Sequence, residues 1–260
     1  DIPFFYHKNK TINADSVPPQ MEIFNYFPFM NILCAFDSFK ESLTSREAGE
    51  YFSRGFRKIW PGSRFRLISI SDGGEGFLDA MLANPGSRRR ALTVRDPRGR
   101  NIRAQWGRVS GKAVVEMAKA SGLPLLSPRE RNPLKTSTYG TGQLVKAALE
   151  GGSTSLYIGI GGSATVDGGA GMLQALGVKF YGRDNRLITD ILCGGNLSRI
   201  SRLDAGSIQS LVKGRKIYVA CDVRNPLLGP HGAATVFGPQ KGATPAMVTL
   251  LENNLAHWAV

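Results

Sequence analysis

The residues whose types and spacing could do chemistry are acids and glycines that follow short apolar runs. The longest such segment, 159–171, reads GIGGSATVDGGAG. It carries one acid, Asp167, and two hydroxyl groups, on Ser163 and Thr165. Shorter acid-containing segments follow three other apolar runs, at 36–40 (FDSFK), 71–76 (SDGGEG) and 221–223 (CDV). Glycines let backbone N–H groups approach an anion, so the pattern favours a phosphorylated ligand.

The first part of the glycine segment also matches a dinucleotide-binding fingerprint. Residues 159–164 satisfy G-x-G-x-x-[G/A], and Asp184 lies at about the distance expected for the ribose-binding acid. Glycines continue to Gly171, however, and the next helix is predicted to begin only near Gly169. This loop is too long for a tight Rossmann turn. A nicotinamide-dependent oxidoreductase that uses residues 159–164 is therefore the weaker alternative.

A second phosphate-binding pattern, the Walker A loop, is excluded on spacing. Residues 107–113 read GRVSGKA, which is one residue short and lacks the hydroxyl that would hold magnesium.

Hydrophobic periodicity predicts strands alternating with helices, and hence an α/β protein with a parallel sheet. A hairpin that turns at 96–99 is predicted within the arginine-rich segment 88–109. The other predicted strands lie at 31–39, 64–70, 112–118, 153–160 and 216–223. The predicted helices lie at 42–60, 77–83, 138–152, 169–177 and 246–260.

In open α/β sheets, ligands bind beyond the carboxyl ends of the strands. Four aspartates would ring one such crevice: Asp37, Asp72, Asp167 and Asp222. Clustered carboxylates repel one another unless a cation intervenes, so Mg²⁺ with a phosphorylated substrate is the simplest arrangement. Lys40 and Lys241 could then balance phosphate charge. The competing interpretation is that each aspartate caps a helix or fills a turn.

Composition restricts the class of partner. The net charge of +13 favours anionic partners, and the arginines between 88 and 108 raise a basic nucleic-acid-binding module as another alternative. Aromatic residues do not interleave with these arginines, so a solvated hairpin face is the simpler interpretation. The three cysteines are far apart, which predicts neither a disulfide framework nor a zinc site and fits a reducing cytosol. Membrane spans need about 18 consecutive apolar residues, and no run in the sequence reaches that length.

Several long strings from Met30 onward together resemble the type-2 glycerate kinase family. They are DSFKESLTS, SDGGEG, EMAKASGLPLL, ERNPLKTSTYGTGQL, GIGGSATVDGGAGMLQALG and CDVRNPLLGPHGAATVFGPQKGAT. The resemblance implies phosphorylation of D-glycerate, usually to 2-phosphoglycerate, in the cytoplasm, with ATP and Mg²⁺ as cofactors. The implied partners are the small molecules D-glycerate and ATP, with no nucleic acid and no membrane, and the chain could form a homodimer.

The same resemblance implies two α/β domains with the active site in the cleft between them. Residues 30–90 would be the N-terminal part of a flavodoxin- or Rossmann-like domain with a parallel sheet. Residues 91–260 would be an inserted mixed α/β domain, truncated at its C-terminal end. Residues 1–29 are expected to be a non-native or disordered extension. A later TGEGxxDxQTxxGK-like segment of the family does not occur in this sequence, so we expect a fragment that could be inactive.

Site roles follow from the resemblance together with the needs of phosphoryl transfer, which are positioning and charge neutralisation. Asp167 or Asp72 would orient or deprotonate the glycerate hydroxyl. The magnesium candidates are Asp72, Glu75 and Asp222. The phosphate- or substrate-binding candidates are Ser38, Lys40, Gly161, Gly162, Ser163, Thr165, Arg224 and Lys241. Phe36 and Val166 depart from the family, whose members often have Pro and Asn there.

Overall fold

The computed structural model describes residues 29–39 and 42–260. The strands of this part are β1 (Asn31–Phe36), β2 (Arg64–Ser69), β3 (Arg88–Arg95), β4 (Asn101–Val109), β5 (Lys112–Glu116), β6 (Ser155–Gly159), β7 (Lys179–Tyr181), β8 (Arg202–Asp204) and β9 (Lys216–Ala220). Its helices are α1 (Ser45–Arg57), α2 (Phe77–Met81), α3 (Ala118–Ser121), α4 (Tyr139–Glu150), α5 (Ala170–Ala175), α6 (Gly206–Val212), α7 (Ala233–Phe237) and α8 (Pro245–Trp258). The predicted α/β class is confirmed.

The strands form a mixed sheet and two separate pairs. The order in the five-stranded sheet is β3-β4-β5-β6-β9, with β3, β4 and β5 antiparallel and β5, β6 and β9 parallel. β1 pairs with β2 in parallel, and β7 pairs with β8 antiparallel. The parallel strands point their carboxyl ends the same way, which brings the loops after β6 and β9 to one edge.

The predicted hairpin is confirmed and its turn is held by a buried acid. Arg95 lies opposite Asn101, and the carboxylate of Asp96 accepts the backbone N–H groups of Arg98 (2.8 Å) and Arg100 (2.9 Å). The same carboxylate forms an ion pair with the guanidinium of Arg100. Asp96 thus acts as a turn residue in the sense of an Asx turn.

The Walker-like residues 107–113 form the end of β4, a tight turn and the start of β5. Val109 pairs with Lys112, and the two residues between them, Ser110 and Gly111, have φ of 48° and 77°. A two-residue turn with both φ positive is a hairpin turn, which confirms that this segment is not a phosphate loop.

The main core lies between α4 and the five-stranded sheet. Leu144 and Leu149 of α4 are fully buried against Val94, Trp106 and Leu156 from three strands. Full burial of one such side chain stabilises the fold by about 1.5–3 kcal/mol. This packing makes the sheet a rigid base for the loops at its carboxyl edge.

Helix α8 packs on the glycine-rich loop and on β7, partners that the sequence did not reveal. Leu251 and Leu255 are fully buried beside Val166 and Phe180, and Trp258 Nε1 donates to the carbonyl of Gly168 (3.1 Å). Val166 is therefore part of an apolar cluster.

The β1–β2 pair is less enclosed than the sequence predicts. Helix α1 begins as expected, with Thr44 and Glu47 forming a capping box. The apolar run of β1 predicts a buried strand, yet Leu33 is 60% exposed. The reason is that β1 pairs with β2 alone among the described strands.

The predicted division of the chain at residue 90 falls inside β3. That strand pairs along its whole length with β4, and α2 packs Phe77 and Leu78 against Val114 of β5. The division into domains stays a prediction. The predicted extension lies outside the described residues apart from Phe29. In the described ranges, no helix combines the length and apolarity needed to cross a bilayer.

Candidate active site

A cavity of about 540 Å³ opens where the carboxyl ends of β1, β2, β6 and β9 converge. The predicted site residues that line it are Ser38, Asp72, Glu75, Gly161, Gly162, Ser163, Asp222 and Lys241. Asp37 lines it as well. The structure therefore brings three of the four strand-end aspartates to one cavity, as expected for ligand binding at the edge of an α/β sheet.

Two glycine-containing loops meet in the wall of this cavity. The N–H of Gly161 donates to the carbonyl of Gly73 (3.0 Å), so that amide holds the loops together. A Cβ atom at Gly161 would lie 2.6 Å from Cα of Gly74, which only glycine avoids. Gly162, with φ of 69°, then turns the chain towards Ser163. Gly161 thus serves the contact between the loops, and the lining residues Gly162 and Ser163 are the nearer candidates for an anion.

Lys241 supplies a fixed positive charge at the cavity wall. Its side chain is largely buried, with the residue 8% exposed. The ammonium donates to Oγ of Ser163 (2.8 Å) and to the carbonyl oxygen of Thr165 (2.7 Å). A buried ammonium is costly unless it is hydrogen-bonded, so these contacts hold it in place. The site can therefore attract phosphate or carboxylate oxygens without first ordering a long side chain.

The acidic residues that line the cavity are less enclosed than Lys241. Asp72 and Asp222 are exposed, and Asp72 Oδ1 accepts the N–H of Gly74 (2.8 Å). The backbone carbonyl of Glu75 accepts Oγ–H of Ser38 (3.1 Å), which ties the loop after β2 to the loop after β1. These oxygens have the chemistry that Mg²⁺ prefers.

The predicted magnesium ligands do not form a preassembled cluster. Among the residues that the structure describes, no group of three or more His, Cys, Asp or Glu side chains is close enough to hold a metal ion. Magnesium in kinases commonly binds through one or two carboxylates plus substrate phosphates and water. The carboxylates of Asp72, Glu75 and Asp222 fit that mode and do not fit an all-protein cage.

Asp167 lies outside the lining of the cavity. It is 1% exposed, and its carboxylate accepts the backbone N–H (2.8 Å) and the hydroxyl (2.7 Å) of Thr138. It also accepts the N–H groups of Gly169 (3.2 Å) and Gly171 (3.3 Å). Burial raises the pKa of Asp167, and these hydrogen bonds act in the opposite direction. Its visible contacts fasten the glycine-rich loop to the start of α4.

The remaining predicted residues are distributed differently. Thr165 is buried and contributes its carbonyl oxygen to Lys241 rather than its hydroxyl to the cavity. Arg224 is exposed and is not part of the lining. Lys40 lies outside the described residues.

Sequence reasoning missed the apolar side of the cavity. Ala118, Leu123, Pro124, Val236 and Phe237 line it. They belong to the strings EMAKASGLPLL and GAATVFGPQKGAT, which carried the family resemblance without an assigned role. Ligand pockets commonly combine such apolar walls with a few polar groups, so an apolar stretch beside a phosphate loop was the usable signal.

The local structure does not support the nicotinamide alternative. Helix α5 begins at Ala170, well after β6 ends at Gly159, so the tight strand-to-helix turn of a Rossmann motif is not formed. The predicted start near Gly169 is confirmed, because Gly169 caps the helix with φ of 78°. Asp184 is exposed, does not line the cavity and accepts the N–H of Arg186 in a local turn.

The protein is of the α/β class, and its cavity lies at the carboxyl ends of strands, where α/β proteins commonly bind ligands. A sequence profile described as the glycerate kinase family matches residues 32–260. The chain belongs to the glycerate kinase family. This membership does not support the nucleic-acid-binding alternative.

Individual relatives agree with this membership. Glycerate 2-kinase of Escherichia coli K12 is 46% identical over 233 residues, covering 88% of this chain and 60% of that protein. Glycerate kinase of Bacillus subtilis 168 is 47% identical over 232 residues, covering the same shares. The solved structure of a Salmonella typhimurium LT2 protein described as glycerate kinase 2 superposes with a TM-score of 0.75 at 42% identity. That match covers 88% of this chain and 62% of the solved one. The chain therefore spans about 60% of the length of these relatives.

Proposed function

We propose that this protein is an ATP-dependent kinase that phosphorylates D-glycerate, with 2-phosphoglycerate as the favoured product. The observation that carries the proposal is the ammonium of Lys241. It is held by Ser163 and Thr165 at the wall of a cavity that is also lined by Asp72 and Asp222. Phosphoryl transfer needs a fixed cation for phosphate oxygens and oxygen ligands for a metal in the same cavity.

The division of roles follows from exposure. Lys241 and the backbone around Gly162 and Ser163 would hold phosphate oxygens, because they form the enclosed wall. Asp72, Glu75 and Asp222 would hold Mg²⁺, which in kinases bridges phosphate oxygens and neutralises developing charge.

Proton transfer is assigned in the same way. Asp72 would also accept the proton of the glycerate hydroxyl, because it is exposed to the cavity whereas Asp167 is enclosed. In this proposal Asp167 is a positioning residue, which acts by holding the glycine-rich loop against Thr138.

Binding of the glycerate carboxylate is assigned to three other residues of the predicted set. Ser38 lines the cavity, and its hydroxyl, which donates to the carbonyl of Glu75 (3.1 Å), would have to turn from that carbonyl to donate to a substrate carboxylate. Lys40 and Arg224 complete this proposed subsite, Lys40 on sequence grounds alone. Arginine would bind a carboxylate through two parallel N–H groups.

The test is a coupled assay of the full-length protein with ATP, Mg²⁺ and D-glycerate. Product is read with enolase and no phosphoglycerate mutase, so that a signal requires 2-phosphoglycerate. A parallel reaction that contains the mutase reports both isomers, so a signal that appears only there identifies 3-phosphoglycerate. ATP consumption without a signal in either reaction, or a lack of ATP consumption, would contradict the proposal. L-glycerate serves as the control for substrate handedness.

We also propose a cytosolic homodimer. The three described cysteines, Cys34, Cys193 and Cys221, are free, which supports a reducing compartment. The mass of the purified protein by light scattering tests the dimer, and a monomeric mass at assay concentration would overturn it.

A further inference from the structure

A buried carboxylate behind the cavity has no part in the proposed chemistry. Glu116, the last residue of β5, is 0% exposed and does not line the cavity. Its Oε2 atom accepts the N–H of Leu78 (2.9 Å). Its Oε1 atom has no hydrogen-bond partner among the described residues, and the ammonium of Lys119 lies 3.7 Å away. An enclosed carboxylate with incomplete pairing costs the fold several kcal/mol, so the position calls for an explanation.

The hydrogen bond from the Leu78 amide explains why a carboxylate is buried at position 116. Leu78 is the second residue of α2, and α2 follows directly on the SDGGEG loop at 71–76. The first N–H groups of a helix have no partner within the helix and need one from elsewhere. Glu116, at the end of β5, provides the acceptor for the N–H of Leu78. The start of α2 is therefore fixed to the end of β5.

The loop so anchored carries two cavity carboxylates. Asp72 and Glu75 both line the cavity and lie between the end of β2 and the start of α2. The loop has a second attachment where the carbonyl of Gly73 accepts the N–H of Gly161 (3.0 Å). With Glu116 at one end and Gly161 near the other, the loop can change its position little without breaking one of these contacts.

Glu116 is also connected to the glycine-rich loop through its own strand. It lies opposite Gly159 in the parallel pair β5–β6, and the next N–H, of Met117, donates to the carbonyl of Gly159 (2.9 Å). A single residue therefore relates the loop after β2 to the loop after β6. Those loops carry the carboxylates and the phosphate-facing backbone of the proposed site.

We propose that Glu116 is a positioning residue, which sets the place of Asp72 and Glu75 relative to the phosphate-binding loop through its hydrogen bond to the Leu78 amide. This inference rests on the proposed kinase function for its kinetic consequences. This positioning role needs an acceptor oxygen within hydrogen-bonding distance of the Leu78 amide. It does not need the negative charge of Glu116. A small misplacement of reacting groups can lower a rate by about 100-fold, so the effect of losing this contact is on kcat.

Burial raises the pKa of the Glu116 carboxyl, while the charge of Lys119 and the amides of Leu78 and Gly76 act in the opposite direction. Because burial disfavours the ionised carboxyl, an uncharged amide of the same shape is a suitable replacement.

Two variants separate reach from charge. Glu116→Gln keeps an acceptor oxygen at the same reach and loses the charge, whereas Glu116→Asp keeps the charge and withdraws the oxygens by one methylene. In the full-length protein we expect Glu116→Gln to retain kcat within about threefold and Glu116→Asp to lose about tenfold or more, with the KM for glycerate nearly unchanged. Glu150→Gln and Glu150→Asp, at an exposed residue that ends α4, are the matched controls and should behave as wild type.

Amide hydrogen exchange gives a readout that is independent of activity. In the 260-residue chain, exchange at residues 73–78 should accelerate in Glu116→Asp and stay near the wild-type rate in Glu116→Gln, because the Leu78 amide keeps its partner only in the latter. Should Glu116→Asp not fold, Glu116→Leu takes its place as the variant without an acceptor, since apolar replacements of buried charges are often tolerated.

The outcomes are distinct. A Gln variant as impaired as the Asp variant, or an Asp variant with wild-type kcat and exchange, overturns the positioning role. A wild-type protein without glycerate phosphorylation overturns the proposed function instead, and the exchange experiment then decides the Glu116 contact by itself.

Discussion

The two sides of the cavity are built on opposite principles. On the glycine-loop side, Lys241 is 8% exposed with two named acceptors, and Asp167, which holds this loop from outside the lining of the cavity, is 1% exposed with four donors. On the other side, Asp72 and Asp222 are exposed and line the open part of the cavity. The residues on either side of Asp222, Cys221 and Val223, are exposed as well.

This difference separates groups that shape the site from groups that await a ligand. A buried charge must be satisfied by the protein itself, so changing it affects both folding and function. An exposed carboxylate is satisfied by water until a metal–phosphate complex arrives, so changing it affects function alone. The predictions below test whether stability and activity divide along this line.

The largest effect on activity is expected at Lys241, which belongs to the enclosed side and faces the cavity. Lys241→Met keeps the length of the side chain and removes its charge, so we expect kcat/KM to fall by about 1,000-fold because transferred phosphate loses a fixed cation. Steady-state kinetics in the full-length protein measure this. Lys179→Met, at the exposed first residue of β7, is the control, and near-normal turnover of Lys241→Met would remove the ammonium from the chemistry.

A somewhat smaller loss of activity is expected on the open side. Asp72→Asn and Asp222→Asn should lower kcat by about 100-fold, and the required Mg²⁺ concentration should rise, because a metal ligand is weakened. Their free energies of unfolding should stay within about 0.5 kcal/mol of wild type, since both side chains are exposed. Asp190→Asn, an exposed partner of Arg199, is the control. A large loss of stability in either variant would contradict the division into two sides.

Substitution of Asp167 should lower the stability of the fold, unlike substitution of Asp72 or Asp222. Asp167→Asn leaves one acceptor oxygen for four donors, so we expect about 1–3 kcal/mol of destabilisation in denaturant unfolding at acidic pH. The raised pKa makes the folded state bind more protons than the unfolded state between the ordinary Asp range and the folded value.

The sign of the pH dependence follows from that difference. Wild-type stability from this group is present below the unfolded pKa and is lost as pH rises through the folded pKa, whereas Asn makes no such contribution. The difference in free energy of unfolding between wild type and Asp167→Asn should therefore become smaller as pH rises across this window. A difference that grows with pH would show that the carboxylate is stabilised in its ionised form.

Local features of this chain were predictable because neighbouring residues determine them. Thr44 with Glu47 marks a capping box, Asp96 marks the hairpin turn, and the run of glycines delays α5 until after Gly169. The loops that line the cavity were predictable for a similar reason, since parallel strands direct their carboxyl ends to one edge.

The enclosed side was harder to predict because it depends on contacts between distant parts of the chain. Asp167 is near Thr138 only through the packing of α5 beside α4, and Glu116 meets Leu78 across two elements. The sequence likewise showed the apolar positions of α8 but not the cluster around Phe180 that buries Leu251. Burial decides between a catalytic and a positioning acid, and burial is a property of the tertiary structure.

The smallest expected effect probes the open side by chemical labelling. Cys221 is exposed and lines the cavity, whereas Cys34 is buried and Cys193 is partly buried. A maleimide should therefore react first with Cys221, and burial raises the pKa of the other two thiols, which slows them further. With ATP and Mg²⁺ in the cavity we expect labelling of Cys221 to slow by about three- to tenfold, because a bound ligand covers groups that line its pocket.

Mass spectrometry of the 260-residue chain measures this protection without requiring catalysis. Cys221→Ser identifies the labelled site, and Lys241→Met should abolish the protection if the enclosed ammonium is what holds the nucleotide beside the open carboxylates. Protection that persists in Lys241→Met would mean that the open side binds the ligand by itself. The two sides would then be separate subsites and not the two halves of one.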